Sequence, residues 1–167
     1  MSDFEVKVSP IEPCKIDYSK SVEELTSYYD ELAKKISGGQ PELANGEFML
    51  LGYALDFLDL VKRVFNMDLS FEETEIPKLD QIIAALSQAI LTKKIPPEAG
   101  SDIMKKATGF LCVVIWKNIG GGFISSNIGY GVNIKGTNAF VYNRIGRRLQ
   151  GDQACDVTSF YNELKKL

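Results

Sequence analysis

The feature that most constrains this chain is an apolar run at residues 110–116, which is followed closely by three glycines at residues 120–122. Seven consecutive apolar residues in a helix leave it apolar on every face, and such a helix is surrounded by protein. Glycine ends helices because it is a poor helix former and readily adopts positive φ. We therefore expect a central helix that opens at Pro96 and Pro97 and ends near Asn118.

Composition is that of an ordinary globular domain, with 45% hydrophobic and 25% charged residues among 167. That length favours one domain over residues 1–167, with a core that needs no disulfide or metal. The three cysteines Cys14, Cys112 and Cys155 are odd in number and widely spaced, which favours a reducing compartment. No charged leader precedes an apolar segment, and a membrane span needs about 20 apolar residues. We therefore expect a cytoplasmic protein with no membrane partner.

The chain contains no histidine. A serine or cysteine catalyst that relies on histidine is therefore excluded, and zinc would have to be bound by cysteine and carboxylates alone. No catalytic motif is recognisable, so we expect no catalytic residue, no metal and no cofactor. The formal net charge of −3 argues against a specific nucleic-acid partner.

Apolar residues at helical spacing predict about six helices. Ser21 and Glu24 form a capping box before the first of them. The apolar stripe of the second helix leaves Glu47 off its buried side, and the stripe of the last helix turns Leu167 inward. The expected bounds are Ser21 to Gly38, Pro41 or after Gly46 to about Asn66, Pro77 to Lys94, Pro96 to about Asn118, Thr137 or Asn138 to Leu149, and from Asp152 or Asp156 onward.

Two short strands are expected between the fourth and fifth helices, at residues 123–125 and 132–134. A third, isolated strand is indicated by the alternation of Phe4, Val6 and Val8 with polar residues. The predicted class is therefore α+β, mostly helical, with a small antiparallel sheet or hairpin near residues 122–135. The glycines here do not predict a phosphate loop, because they follow a helix and precede a strand.

Positive charge is concentrated in one part of the chain. Residues 103–150 contain seven basic residues and no acidic one, so the rest of the chain sums to −10. Arg144, Arg147 and Arg148 are spaced to share one helix face, where guanidinium groups could bind a phosphate or carboxylate. With Lys117 they are the candidate ligand-binding or partner-binding residues. The alternatives are pairing with the acidic N-terminal helices, or a solvated face.

The segment at about residues 105–164 resembles a family of uncharacterised small bacterial proteins. The matching features are Gly109, the Asn-Ile-Gly-Gly at residues 118–121, the basic helix at residues 144–149, and the Ser-Phe-Tyr-Asn-Glu-Leu at residues 159–164. The chain departs from that pattern at Val113 and Val114 and at Phe123. The resemblance implies a small α+β domain and supplies no catalytic residues.

Two functions remain open. The first is a non-catalytic bacterial interaction or accessory domain, of the immunity or adaptor type, with an acidic protein as partner. It is based on the missing histidine and the division of charge along the chain. The second is an enzyme or small-ligand-binding protein with an anion site between the hairpin and the basic helix. A structure in which the basic groups meet in a concave pocket would favour a ligand site.

Overall fold

The computed structural model describes residues 12–13 and 16–167, and it has the expected α+β architecture. The predicted strand at Phe4, Val6 and Val8 lies outside the described residues, as does Cys14. Ten elements follow in chain order: β1 (Glu12–Pro13), α1 (Val22–Ser37), α2 (Gly46–Phe65), α3 (Ile76–Leu91), α4 (Pro97–Asn118), β2 (Gly122–Ser126), β3 (Gly129–Ile134), β4 (Thr137–Ala139), α5 (Val141–Leu149) and α6 (Val157–Lys165).

The prediction of a central helix is confirmed. Every residue of α4 from Ala107 to Trp116 is buried. The Phe110 ring lies between two others, with its centroid 5.2 Å from that of Phe57 and 5.6 Å from that of Phe71. A connected cluster of buried side chains joins α4 to the other five helices and to the sheet. Burial on all sides is the physical reason that residues 107–116 of this helix carry no charge.

Side-chain caps mark the starts of three of the described helices, α1, α2 and α6. Ser21 and Glu24 make both hydrogen bonds of the capping box at α1. The Asn45 side chain caps α2, so this helix starts after the 3-10 turn Pro41–Leu43 rather than at Pro41. Of the two candidate caps for α6, Asp156 is the one used, and its carboxylate accepts a hydrogen bond from the Ser159 amide.

A carboxylate from another helix also fixes the start of α6. The Asp80 side chain of α3 accepts hydrogen bonds from the backbone amides of Val157, at 2.7 Å, and Thr158, at 2.8 Å. These amides have no partner within their own helix, and a carboxylate is favoured near a helix N-terminus. Asp80 therefore joins α3 to α6, which places α6 beside α5.

The sheet is antiparallel, with strand order β1-β2-β3-β4. The prediction that the fifth helix starts at Thr137 or Asn138 is wrong, because these residues form β4 and pair with Ile134 and Asn133 of β3. The turn between the two strands consists of Lys135 and Gly136, which have φ values of 51° and 87°. Positive φ at both residues is the geometry of a tight two-residue hairpin, and it extends the sheet before α5 can begin.

Two expectations about burial are also wrong. Glu47 is only 2% exposed, although the apolar stripe of α2 leaves it out. Its Oε1 accepts hydrogen bonds from the Tyr18 hydroxyl, at 2.9 Å, and from the Ile16 amide, at 3.1 Å, so the chain before α1 covers it. Leu167 is 44% exposed because α6 ends at Lys165, two residues before it.

No helix in the described part of the chain combines the length and the apolar character that crossing a bilayer requires.

Candidate functional site

The basic helix α5 has two faces of opposite character. Val141, Ile145, Gly146 and Leu149 are buried on one side. A side chain at Gly146 would come within 2.7 Å of the Met104 terminal methyl, so α5 approaches α4 closely there. The three arginines lie off this buried face, as the spacing predicts. Packing against α4 therefore directs the positive charge of α5 away from the core.

A cavity of about 300 Å³ lies where α5 meets the β2–β3 turn and α6. We call it the arginine cavity. Its lining residues are Ile128, Phe140, Asn143, Arg144, Arg147 and Phe160. It lies between the hairpin and the basic helix, where the sequence places the hypothetical anion site.

The wall contributed by the hairpin is held in place by contacts from α5. The Asn143 side-chain amide donates to the Ile128 carbonyl at 3.0 Å. One residue along α5, the Tyr142 ring packs against that of Tyr130 on β3, with centroids 4.6 Å apart. Gly129 has a φ of 156°, and a side chain there would overlap the Asn143 amide oxygen. Glycine at this turn therefore allows the hairpin to lie close to α5.

Arg144 and Arg147 both line the cavity, but they differ in what they already contact. The guanidinium of Arg144 lies 5.2 Å from the centroid of the Phe160 ring, and its Nη2 donates to the Asp156 carbonyl at 3.3 Å. Hydrogen bonds from Ser159 lower the pKa of Asp156, and the positive charge of Arg144 adds to this effect. Arg147 is exposed. Arg144 therefore helps to hold α5 and α6 together, whereas Arg147 presents its guanidinium to solvent at the cavity.

The other basic residues of the window are distributed over several contacts. Lys117 pairs with Glu72, with Nζ 2.6 Å from Oε1, and does not line the cavity. Lys106 pairs with Asp102 in its own helix, at 2.8 Å. The Lys135 ammonium donates to the Leu167 carbonyl at 3.0 Å. Among the described residues no carboxylate lies within ion-pair distance of any α5 arginine. The structure thus separates Lys117 from Arg144 and Arg147.

Three polar atoms of α5 are buried without a hydrogen-bond partner in the described part of the chain: Asn143 Oδ1, Arg144 Nε and Arg148 Nε. Two of them belong to residues that line the arginine cavity, while Arg148 does not line it. A buried polar atom without a partner costs free energy, and such atoms are uncommon in folded proteins.

Four lining residues are absent from the sequence-based set of candidates: Ile128, Phe140, Asn143 and Phe160. Asn143 directly precedes Arg144 in α5. A polar amide next to an arginine in one helix is a weak indication of a binding site, and it could have added Asn143 to the candidates. Phe160 is an apolar residue of the last helix, and nothing in its spacing connects it to Arg144. The docking of α6 through Asp80 brings these two side chains together.

A larger cavity, of about 410 Å³, lies beside the starts of α3 and α6. Here the Tyr161 hydroxyl donates to Glu73 Oε2 at 2.7 Å, and the Lys165 ammonium to Glu73 Oε1 at 3.0 Å. The hydrogen bond from Tyr161, followed by that from Lys165, lowers the pKa of Glu73. Burial, followed by the Glu73 carboxylate, raises the pKa of Tyr161. The charged groups of this cavity already bind one another, so it is the weaker candidate.

Within residues 16–167 no three cysteine, aspartate or glutamate side chains are grouped as a metal site requires. Cys112 and Cys155 are buried thiols.

Comparison with protein-family models, with curated protein sequences and with solved structures finds no match to this chain. The resemblance of residues 105–164 to a family of uncharacterised bacterial proteins therefore stays a prediction.

Proposed function

We propose that this protein is a non-catalytic interaction domain of the bacterial cytoplasm that binds an acidic segment of a partner protein in the arginine cavity. The observation that carries the proposal is the state of Arg147, which is exposed, lines a concave surface and has no carboxylate partner among the described residues. Arginine binds carboxylates in a bidentate manner, and exposed guanidinium groups are enriched in protein interfaces.

The lining of the cavity supports binding rather than catalysis. Its six residues offer two guanidinium groups, one amide and three apolar side chains. The lining contains no histidine, aspartate, glutamate, lysine, tyrosine or cysteine, which are the side chains that usually serve as general acids and bases. Ile128, Phe140 and Phe160 instead offer apolar surface beside the positive charge. An acidic residue next to an apolar one matches this combination. The buried thiols Cys112 and Cys155 support a reducing compartment.

The test is fluorescence anisotropy with a labelled peptide in which glutamates flank a leucine. We expect Arg147→Gln to weaken binding roughly 10-fold or more, because a hydrogen bond between charged groups contributes about 1.5–3 kcal/mol. Binding of the unaltered protein is expected to weaken between low salt and about 0.15 M salt, where the Debye length is about 8 Å.

Arg63→Gln is the matched control, because it removes the same charge from an arginine of α2 that pairs with Asp59 at 2.8 Å. It is expected to leave peptide affinity nearly unchanged. Equal affinities for the Arg147→Gln and Arg63→Gln variants would refute the proposal, since only a diffuse effect of net charge would then remain.

A second candidate is a receptor for a small anion. It is favoured by the volume of about 300 Å³, which is at the lower end of the range for small-molecule sites. Titration with citrate, followed by NMR of the backbone amides of α5, separates the two candidates. Saturable binding of citrate together with no binding of the acidic peptide would favour the small anion.

A further inference from the structure

A different cavity, of about 380 Å³, lies between α1 and α2. We call it the aromatic groove. Its main lining residues are Tyr29, Phe48, Met49, Gly52, Tyr53 and Asp56. Phe48, Gly52 and Asp56 are each separated by one helical turn, so α2 presents them as a single stripe. The groove therefore has an aromatic end and an acidic end along one helix.

The aromatic end is a pair of stacked rings. The rings of Tyr29 and Phe48 are nearly parallel, with an interplanar angle of 8° and centroids 4.6 Å apart. Gly52 makes this arrangement possible, because a side chain there would come within 2.6 Å of the Tyr29 hydroxyl oxygen. Met49, which also lines the groove, is 37% exposed. Tyr29 of α1 and Phe48 of α2 thus form a stacked pair that is partly exposed, so a ligand can reach it.

The acidic end carries a carboxylate that is not neutralised. Asp56 is exposed and forms no ion pair with any residue from 16 to 167. Its neighbour Asp59, three residues along α2, pairs with Arg63 at 2.8 Å. Burial raises the pKa of Tyr29, and the negative charges of Asp56 and Asp30 raise it further. Asp56 and Asp30 therefore place negative charge beside Tyr29, and this charge complements a cation.

Aromatic faces attract cations through their quadrupole, and a guanidinium group also stacks flat on them. A carboxylate adjacent to such a face can bind the edge of the guanidinium with two hydrogen bonds. We propose that the aromatic groove binds an arginine side chain of a partner protein, with the guanidinium stacked on the face of Tyr29 that Phe48 leaves open and paired with Asp56. This site takes a positive group and uses none of the residues of the arginine cavity, so it does not depend on the proposed function.

The test is an NMR titration of the full chain with N-acetyl-arginine amide. The aromatic ring protons of Tyr29, Phe48 and Tyr53 report on binding. We expect saturable shifts of these signals, and at least tenfold weaker binding of the citrulline analogue, which has nearly the same shape and no charge. Asp56→Asn is expected to weaken arginine binding about tenfold.

Asp59→Asn is the matched control, since it removes one negative charge from the same helix without touching the groove. It should leave the affinity for arginine unchanged, as should Arg147→Gln. Equal losses of arginine affinity in Asp56→Asn and Asp59→Asn would overturn the proposal. It would also be overturned if the citrulline analogue bound as tightly as N-acetyl-arginine amide, or if N-acetyl-lysine amide bound more tightly. Self-association of the protein that Asp56→Asn abolishes would show that a second copy occupies the groove, and would overturn the assignment to another protein.

Discussion

The close approach of α4 to α2 yields a sharp prediction about Gly109. This residue lies in α4 against α2, and a β-carbon built on it would lie 2.5 Å from the Leu50 carbonyl oxygen and 2.8 Å from the Ala54 amide nitrogen. Both atoms belong to the backbone of α2, so neither can move away by side-chain rotation. Gly109→Ala therefore forces the two helices apart.

The expected size of the effect follows from these distances. Restoring an ordinary contact of roughly 3.5 Å requires a separation of about 1 Å at this point. Overpacking of a buried site costs about 1–3 kcal/mol, and a shift of two backbones falls at the upper end. Alanine recovers about 1 kcal/mol through its higher helix propensity. We expect a net loss of about 2 kcal/mol, which lowers Tm by roughly 4–8 °C for a chain of this length.

Urea and thermal unfolding of Gly109→Ala and Gly100→Ala measure this effect against a matched control. Gly100 lies in the same helix, but a β-carbon there would have its nearest neighbour, the Ile90 terminal methyl, at 3.8 Å. Gly100→Ala is therefore expected to stabilise the protein by up to about 1 kcal/mol. If Gly109→Ala is as stable as the unaltered protein, α2 and α4 do not pack as closely as described.

Two further predictions concern the core and the pH dependence of stability. Leu111→Ala and Ile115→Ala, at fully buried positions of α4, should each lower the free energy of unfolding by about 2–5 kcal/mol in urea unfolding. The control Val64→Ala, at a position 59% exposed, should change it by less than about 0.5 kcal/mol. Losses below about 1 kcal/mol at both core positions would contradict the central placement of α4. In the folded protein the hydrogen bond from Tyr161, and to a smaller extent that from Lys165, lowers the pKa of Glu73. The ionised Glu73 carboxylate therefore stabilises the fold above its unfolded-state pKa, and this stabilisation is lost as the pH falls through the folded-state pKa. The difference in Tm between the unaltered protein and Glu73→Gln should therefore shrink between about pH 6 and pH 3, and a constant difference would argue against this contact.

The sequence alone determined the features that depend on neighbours within a few residues. The capping box of Ser21 and Glu24, the end of α4 before the triple glycine and the shared face of the three α5 arginines are all local. The apolar run at residues 110–116 also determined that α4 is central, because no surface position is compatible with a helix that is apolar all round. The α+β class followed from these patterns together.

The tertiary structure decided which distant groups meet. Glu47 is buried because the chain before α1 covers it, and the periodicity of α2 contains no information about that segment. Thr137 and Asn138 are suitable helix caps, yet pairing with β3 makes them a strand. Lys117 and Arg147 have the same charge, but a glutamate lies within reach of only one of them among the described residues. Contacts of this kind depend on long-range packing, and a pattern of residue types along one chain does not encode their distances.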